Sequence, residues 1–447
     1  MQQPLLDFDR IMYILTNMED AVCLISMTGK VLYSNEAAQK LLGLQPDEHE
    51  ILWQAIPFVP ENDDLVQLFL DGMAERKKTI RSLVDYVNTK GDRYRLHVSL
   101  TCEAKAHSVI SIVISDLTNL EKVSSAFARY TSPEIADFVL STPEGEKQGG
   151  TAREVSVLMS DLRGFTALST RLSPADLVLV VNHYFECMSA VIEQYRGTTI
   201  EFLGDGIFVV FGAPKELPNH ALAAVSCAIE MQNAMKLVNE WNLERGYPAM
   251  EMGIGIHSGI AAVGNIGSDK KMKYGCMGET VNLAGRLESF TVGGQVFISA
   301  ATRSLLPGDL AVAGENSFMP KGAREEMFFY DVTGIGGLRL DRPGEGNEEW
   351  TDLPASREIT LFRLAGKTVI GSGSPAALVR ITPDEKYGIL SAQESLAPLD
   401  NLMLRLDDLD AYGKILSREE DGYRICFTSV PDGFRQKLMM ESCEQET

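Results

Sequence analysis

Hydrophobic positions along the chain change period several times, and each change marks a new element. Near the N-terminus Ile11, Ile14, Leu15 and Met18 fall at helical spacing. Two short apolar stretches then flank Thr28-Gly29, a strand–turn–strand signal, and Asn35 is placed to cap a helix carrying Ala37, Ala38, Leu41 and Leu42. RYRLHVSLTCEA and HSVISIVISDLT alternate as half-buried strands do. Residues 120–130 predict a short helix with Val123, Ala126 and Phe127 at heptad-like spacing. Thr131-Ser132-Pro133-Glu134 predicts a cap and a proline-started second helix, IADFVL. Residues 142–152, rich in Gly and Glu, predict a loop.

From Arg153 the pattern alternates between strands and helices. It runs through VSVLM, amphipathic helices across residues 174–195, the hairpin TIEFLGDGIFVVFG, a long helix over 219–245, MEMGIGIHSG, GGQVFIS and FFYDVT. This predicts an α/β sandwich on a mainly antiparallel sheet. Residues 334–357, with RPGEGNEEW, read as a flexible acidic linker. From Glu358 to about Leu438 strict alternation returns (EITLFRL, NLMLRLDD, YRICFTSV), which predicts a small β-barrel. The expected division is 1–118, 119–150, 151–335, 336–357 and 358–447, an α+β multidomain chain.

Composition narrows the chemistry. A chain of 447 residues that is 45% hydrophobic is globular and too long for one core. Its net charge of −21 argues against nucleic acid or an anionic membrane surface as a bulk partner, but not against a small polyanion in a local cationic pocket. Seven cysteines without a CxxC pair predict free thiols in a reducing, cytoplasmic setting. No apolar run reaches the ~18 residues of a membrane span, and acids stand where a signal peptide needs bases. The chain is therefore expected to be soluble.

Two segments concentrate the candidate chemistry. In VSVLMSDLRGFT, Asp161 ends an apolar run just before a glycine turn, and in TIEFLGDGIFVVFGAP, Asp205 sits at a hairpin tip between Gly204 and Gly206. Aspartates at strand ends beside glycines suit two hard cations held against a phosphate chain. Glu201 lies within the strand leading to Asp205, where a charge is expensive without a partner.

Three resemblances follow. "GKVLYSNEAAQKLLG" and "SIVISDLTNLEK" resemble the first half and the exit of a PAS sensor domain. The reactive cysteine of flavin-binding light sensors is missing, and His97 and His107 read as strand-surface residues rather than haem ligands. "LMLRLDD…GKILSREEDGYRICFTSVP" resembles the end of a PilZ-type barrel, without that family's arginine pair or Asp-x-Ser-x-x-Gly for cyclic dinucleotides. "VLMSDLRGFT", "FLGDGIFVVFGAP" and "GETVNLAGRLES" resemble, in order and spacing, the catalytic domain of class III nucleotidyl cyclases. "RYTSPEIADFVL" is similar to the helical transducer ahead of such domains.

The cyclase resemblance implies a metal site of Asp161, Asp205 and the Leu162 carbonyl for two Mg2+ or Mn2+ ions. It implies a phosphate turn at Gly164, Phe165 and Thr166, and a triphosphate contact at Lys321. Asn282 would orient the ribose and Arg286 would stabilise the transition-state phosphate, four residues apart on one helical face. It also implies a head-to-tail homodimer, with Asp161 and Asp205 from one chain facing Glu201, Asn282 and Arg286 of the other. The PAS unit would act as a dimeric sensor for an unidentified signal or ligand.

The base is read at two positions. Adenylyl members place a lysine where this chain has Glu201, and a carboxylate there accepts both guanine donors as a pair. The second position, Gly275, brings no side chain, and adjacent Cys276 should point to the opposite face. The expectation is a PAS-regulated guanylate cyclase turning GTP into cyclic GMP and pyrophosphate. The alternatives are an adenylate cyclase or a nucleotide-binding pseudoenzyme.

Overall fold

The computed structural model describes residues 8–44, 51–74, 79–103, 109–319, 326–341, 349–365, 368–431 and 433–439. Two compact units, Met1–Tyr130 and Thr131–Thr447, divide the chain.

In the first unit an antiparallel sheet runs Val31–Ser34, Ala21–Ser26, Val109–Asp116, Arg93–Glu103, Thr79–Val87. Asn35 caps the Glu36–Leu42 helix as expected, accepting from the Ala38 N–H, and Gly29 makes its turn at a left-handed φ of 79°. Leu42, Phe69, Leu96, Val98 and Ile112 fill the core. His97 is half-buried on the sheet; His107 lies outside the described residues. The exit helix, Thr118–Tyr130, buries none of its side chains, and Leu120, Val123, Phe127 and Tyr130 repeat along it at heptad spacing.

The second unit opens with the Pro133–Ser141 helix, capped by Ser132. Its Ile135 packs with Val155, Val157 and Tyr274 against a nine-stranded sheet. From one edge the order is Ala311–Phe318, Met327–Ile335, Val296–Ser299, Glu251–Ser268, Gly149–Arg163, Gly206–Phe211, Thr198–Leu203. Val296–Ser299 and Glu251–Ser268 are parallel, and their neighbours are antiparallel. The expected loop over 142–152 is shorter than predicted, because Gly149 already pairs with Asn265 and Gly150 with Gly264. Two glycines meeting across strands leave no side-chain signal, so the strand start was illegible.

Residues 174–194 form one helix of 21 residues rather than several. By length and composition it could cross a membrane, yet its Val180, Tyr184, Met188 and Ile192 stripe packs into the second unit's main hydrophobic core beside the His220–Glu244 helix. The C-terminal strands close a six-stranded barrel in the order Thr351–Ala365, Thr368–Ile381, Tyr387–Ala392, Gly422–Ser429, Leu409–Glu419, Asn401–Leu406. The expected linker over 336–357 is partly strand. Leu338–Arg339 pairs with Met327–Ile335, and Thr351 and Asp352 pair with Ile381 and Arg380. The six described cysteines are free thiols.

A buried polar chain crosses the nine-stranded sheet domain. His220 Nδ1 meets Ser156 Oγ at 2.8 Å, and Ser156 meets Ser258 at 2.6 Å. Ser258 reaches Thr302 at 3.0 Å, Thr302 lies 3.1 Å from Ser299, and Ser299 is 2.8 Å from His257 Nδ1. Burial lowers the pKa of both histidines, that of His257 to about 4. Its folded pKa lies below the unfolded value, so the unfolded chain takes up the proton first as pH falls. Stability is complete above the unfolded pKa of ~6.5 and is lost on descent towards ~4, by about 3 kcal/mol for His257 alone. The thermal midpoint should therefore drop between pH 6.5 and 4.5, and the drop should shrink in His257→Gln.

Candidate active site

Continuous burial of Val155, Val157 and Leu158 makes Gly149–Arg163 a central strand and delivers Asp161 to its end. The neighbouring hairpin places Ser160 opposite Ile207, and Leu203 opposite Gly206 across the tip that carries Asp205. The fit is close: a Cβ on Gly206 would lie 2.8 Å from the Ser160 carbonyl oxygen and 3.4 Å from Asp161 Oδ1. Any side chain at 206 would enter the space that joins the two aspartates. Burial, the Asp205 charge and then Glu288 push the Asp161 pKa up to about 7, against the pull of Arg163. Two carboxylates held together at this cost fit hard divalent cations, whose charge would keep both ionised. Among the described residues no cluster of three or more His, Cys, Asp or Glu side chains that could hold a metal ion is present.

Gly164, at φ 70°, caps the short Phe165–Arg171 helix, which turns the chain immediately after Leu162. The Thr166 side chain and the whole of Lys321 lie outside the described residues.

The positions expected from sequence to read the base, Glu201 and Gly275, lie near one another. Lys271–Met277 pairs antiparallel with Glu251–Ser268, Gly275 opposite Gly264. Tyr274 and Cys276 pack inward with Ile135, so Cys276 does point away, as alternation requires. Lys273 takes the same face as Gly275, and its ammonium forms an ion pair with Glu201. Glu201 is thus partnered and part-exposed rather than buried in its strand, its side chain 45% accessible. Sequence reasoning missed Lys273; the signal was its two-residue spacing from Gly275.

Asn282 and Arg286 are both exposed on one face of the Glu279–Phe290 helix, with the Arg286 guanidinium 5.1 Å from the Phe290 ring centroid. Arg163, also missed, joins this helix to the strand that carries Asp161. It lies 3.9 Å from Asp161, forms an ion pair with Glu288, and donates to the Glu288 carbonyl at 3.2 Å and Thr291 Oγ1 at 3.0 Å.

Residues 148–334 match the family described as the adenylate and guanylate cyclase catalytic domain, and residues 10–116 match the PAS fold. The chain therefore contains an adenylate and guanylate cyclase catalytic domain preceded by a PAS domain. It is 27% identical over 261 residues to adenylate cyclase 1 of Rhizobium meliloti, an alignment spanning 58% of this chain and 39% of that protein. To the adenylate cyclase of Anabaena cylindrica it is 27% identical over 180 residues, 38% of this chain and 34% of that one. The chain thus spans well under half the length of these curated relatives. Among solved structures it is similar to the guanylyl cyclase Cya2, at 46% identity over 43% of this chain and all of that one, with a TM-score of 0.42. It is also similar to the adenylyl cyclase CyaB of P. aeruginosa, at 34% identity over 43% of this chain and 99% of that one, with a TM-score of 0.41.

Proposed function

We propose that the chain is a PAS-regulated guanylate cyclase, converting GTP into cyclic GMP and pyrophosphate at sites shared between two copies. The observation that carries the choice of GTP is the Glu201–Lys273 pair beside Gly275. Guanine offers two donors, its ring N–H and its amine, and one oxo acceptor. Glu201 accepts the donors, Lys273 donates to the oxo oxygen, and Gly275 leaves room for the ring edge.

Asp161, Asp205 and the Leu162 carbonyl are the groups that would hold two Mg2+ or Mn2+ ions, which when bound acidify the ribose 3′-hydroxyl and neutralise phosphate charge. Asn282 orients the ribose, so that its 3′-oxygen lies in line with the α-phosphorus. Arg286 forks across the α-phosphate oxygens as charge grows there. The turn at Gly164 and Phe165 offers main-chain N–H groups to the leaving pyrophosphate.

Two copies are needed because Asn282 and Arg286 face solvent on their own chain. Phe202, Leu203, Ile260 and Met277, on the same strands as Glu201 and Lys273 or on the strand pairing with them, are large exposed apolar side chains that a second copy would cover. The heptad stripe of the Thr118–Tyr130 helix offers the sensor a parallel means of pairing.

A second reading is favoured by Lys273 itself, since an ammonium can also donate to the ring nitrogen acceptor of adenine. Purified protein incubated with manganese and either GTP or ATP, followed by nucleotide separation, decides between them. Cyclic GMP is the expected product. Cyclic AMP alone would overturn the guanine assignment, and no cyclic product from either would overturn the enzymatic reading.

A further inference from the structure

Along the barrel strand Leu409–Glu419, Ala411, Gly413 and Ile415 turn to the barrel interior, so Lys414 must face outward. It is nevertheless only 3% exposed, because the catalytic domain covers it. Its ammonium donates to the Ser289 carbonyl at 2.8 Å and the Thr291 carbonyl at 3.3 Å. These two carbonyls end the Glu279–Phe290 helix, whose exposed face bears Asn282 and Arg286. A cation is favoured at a helix C-terminus by the unpaired carbonyls and by the helix dipole. Burying a lysine is costly without such partners. Here burial and then the Arg163 charge still lower the Lys414 pKa to about 7, with Glu288 opposing them, and Arg163 itself pairs with Glu288 and lies 3.9 Å from Asp161.

A second seam joins the barrel to the same helix. Leu399, whose N–H donates to the Ile415 carbonyl, packs with Phe290 on the Leu287–Phe297–Phe329 cluster. Phe290 lies beneath the Arg286 guanidinium. Charge thus alternates from the barrel to the metal strand: Lys414, Glu288, Arg163, Asp161.

We propose that Lys414 is a positioning residue for the cyclase reaction, by which the barrel fixes the C-terminal end of the helix carrying Asn282 and Arg286. This rests on the cyclase reading above. Lys414 touches no substrate; it sets where Arg286 stands, and a displacement of about 1 Å at such a group costs up to ~100-fold in rate.

The test compares Lys414→Met with Lys386→Met in the full chain. Lys386 also ties barrel to catalytic domain, through Glu251, but touches neither the helix nor the metal strand. With manganese and GTP, Lys414→Met should lower kcat about tenfold or more while KM moves less than about threefold, and Lys386→Met should leave kcat within about twofold. Hydrogen exchange should quicken about tenfold at the amides of residues 287–291 in Lys414→Met and stay unchanged there in Lys386→Met. Should Lys414→Met fail to fold, Lys414→Gln keeps one donor and is expected to give an intermediate kcat. Full kcat in a folded Lys414 variant, equal losses in the two methionine variants, or an unchanged exchange rate at the helix end would each overturn the proposal. If the wild type makes no cyclic nucleotide, the cyclase reading fails by itself, and the exchange comparison still decides whether Lys414 clamps the helix.

Discussion

Asp205→Asn chains and Arg286→Ala chains, each inactive alone, should regain roughly a quarter of wild-type turnover when mixed and allowed to exchange partners. Each homodimer carries two copies of one defect and has no complete site. In the mixed dimer one site collects both defects, and the other takes Asp205 from the Arg286→Ala chain and Arg286 from the Asp205→Asn chain. That second site is whole. Random pairing puts about half the dimers in the mixed class, each with one working site of two. The measurement is cyclic nucleotide formed against mixing ratio, with a maximum near equal amounts. If both groups served one site within a single chain, the Arg286→Ala chain would stay dead in every mixture and no activity would return. The expected size of the single losses, about 100-fold or more each, follows from removing a cation ligand and a transition-state charge.

Glu201→Lys combined with Gly275→Thr is expected to move the ratio of kcat/KM for ATP over GTP by about 100-fold. The carboxylate that accepts guanine's donors becomes a donor suited to adenine's ring nitrogen, and the new hydroxyl accepts from the adenine amine. A Cβ at 275 would lie 3.1 Å from Ile266 Cδ1, the free end of a flexible side chain, so the threonine fits with a small shift. The Glu201–Lys273 ion pair adds a complication. An ammonium at position 201 beside Lys273 is repelled, and adding Lys273→Met should restore much of the activity the double variant loses. Rates with both nucleotides across the three variants check this. An unaltered GTP preference would remove Glu201 from base reading.

Much of the candidate site was legible in sequence because its signals are local. Asp161 ends an apolar run three residues before Gly164, Asp205 sits between Gly204 and Gly206, and Asn282 and Arg286 share a helical face by spacing alone. The cap at Asn35 and the proline start at Pro133 were legible for the same reason. What escaped depends on contacts between distant segments. Glu201 looks like a buried charge when only its own strand is read, and becomes a paired one when Lys273 arrives from a hairpin some seventy residues away. Gly150 facing Gly264, beside Gly149, hid the start of that strand. The alternation of NLMLRLDD and YRICFTSV predicted barrel strands, but nothing in it says that the C-terminal end of the Glu279–Phe290 helix packs on Lys414 outside them.

Arg163 has one further consequence. Within a chain it grips the Asp161 strand and the Glu279–Phe290 helix together, and in the proposed pairing those two elements serve opposite sites. A disturbance entering through one barrel would therefore not stay in one site: it would reach the metal side of the first and the arginine side of the second. A dimer with a single damaged barrel should behave as an enzyme with two impaired sites, not as half an enzyme.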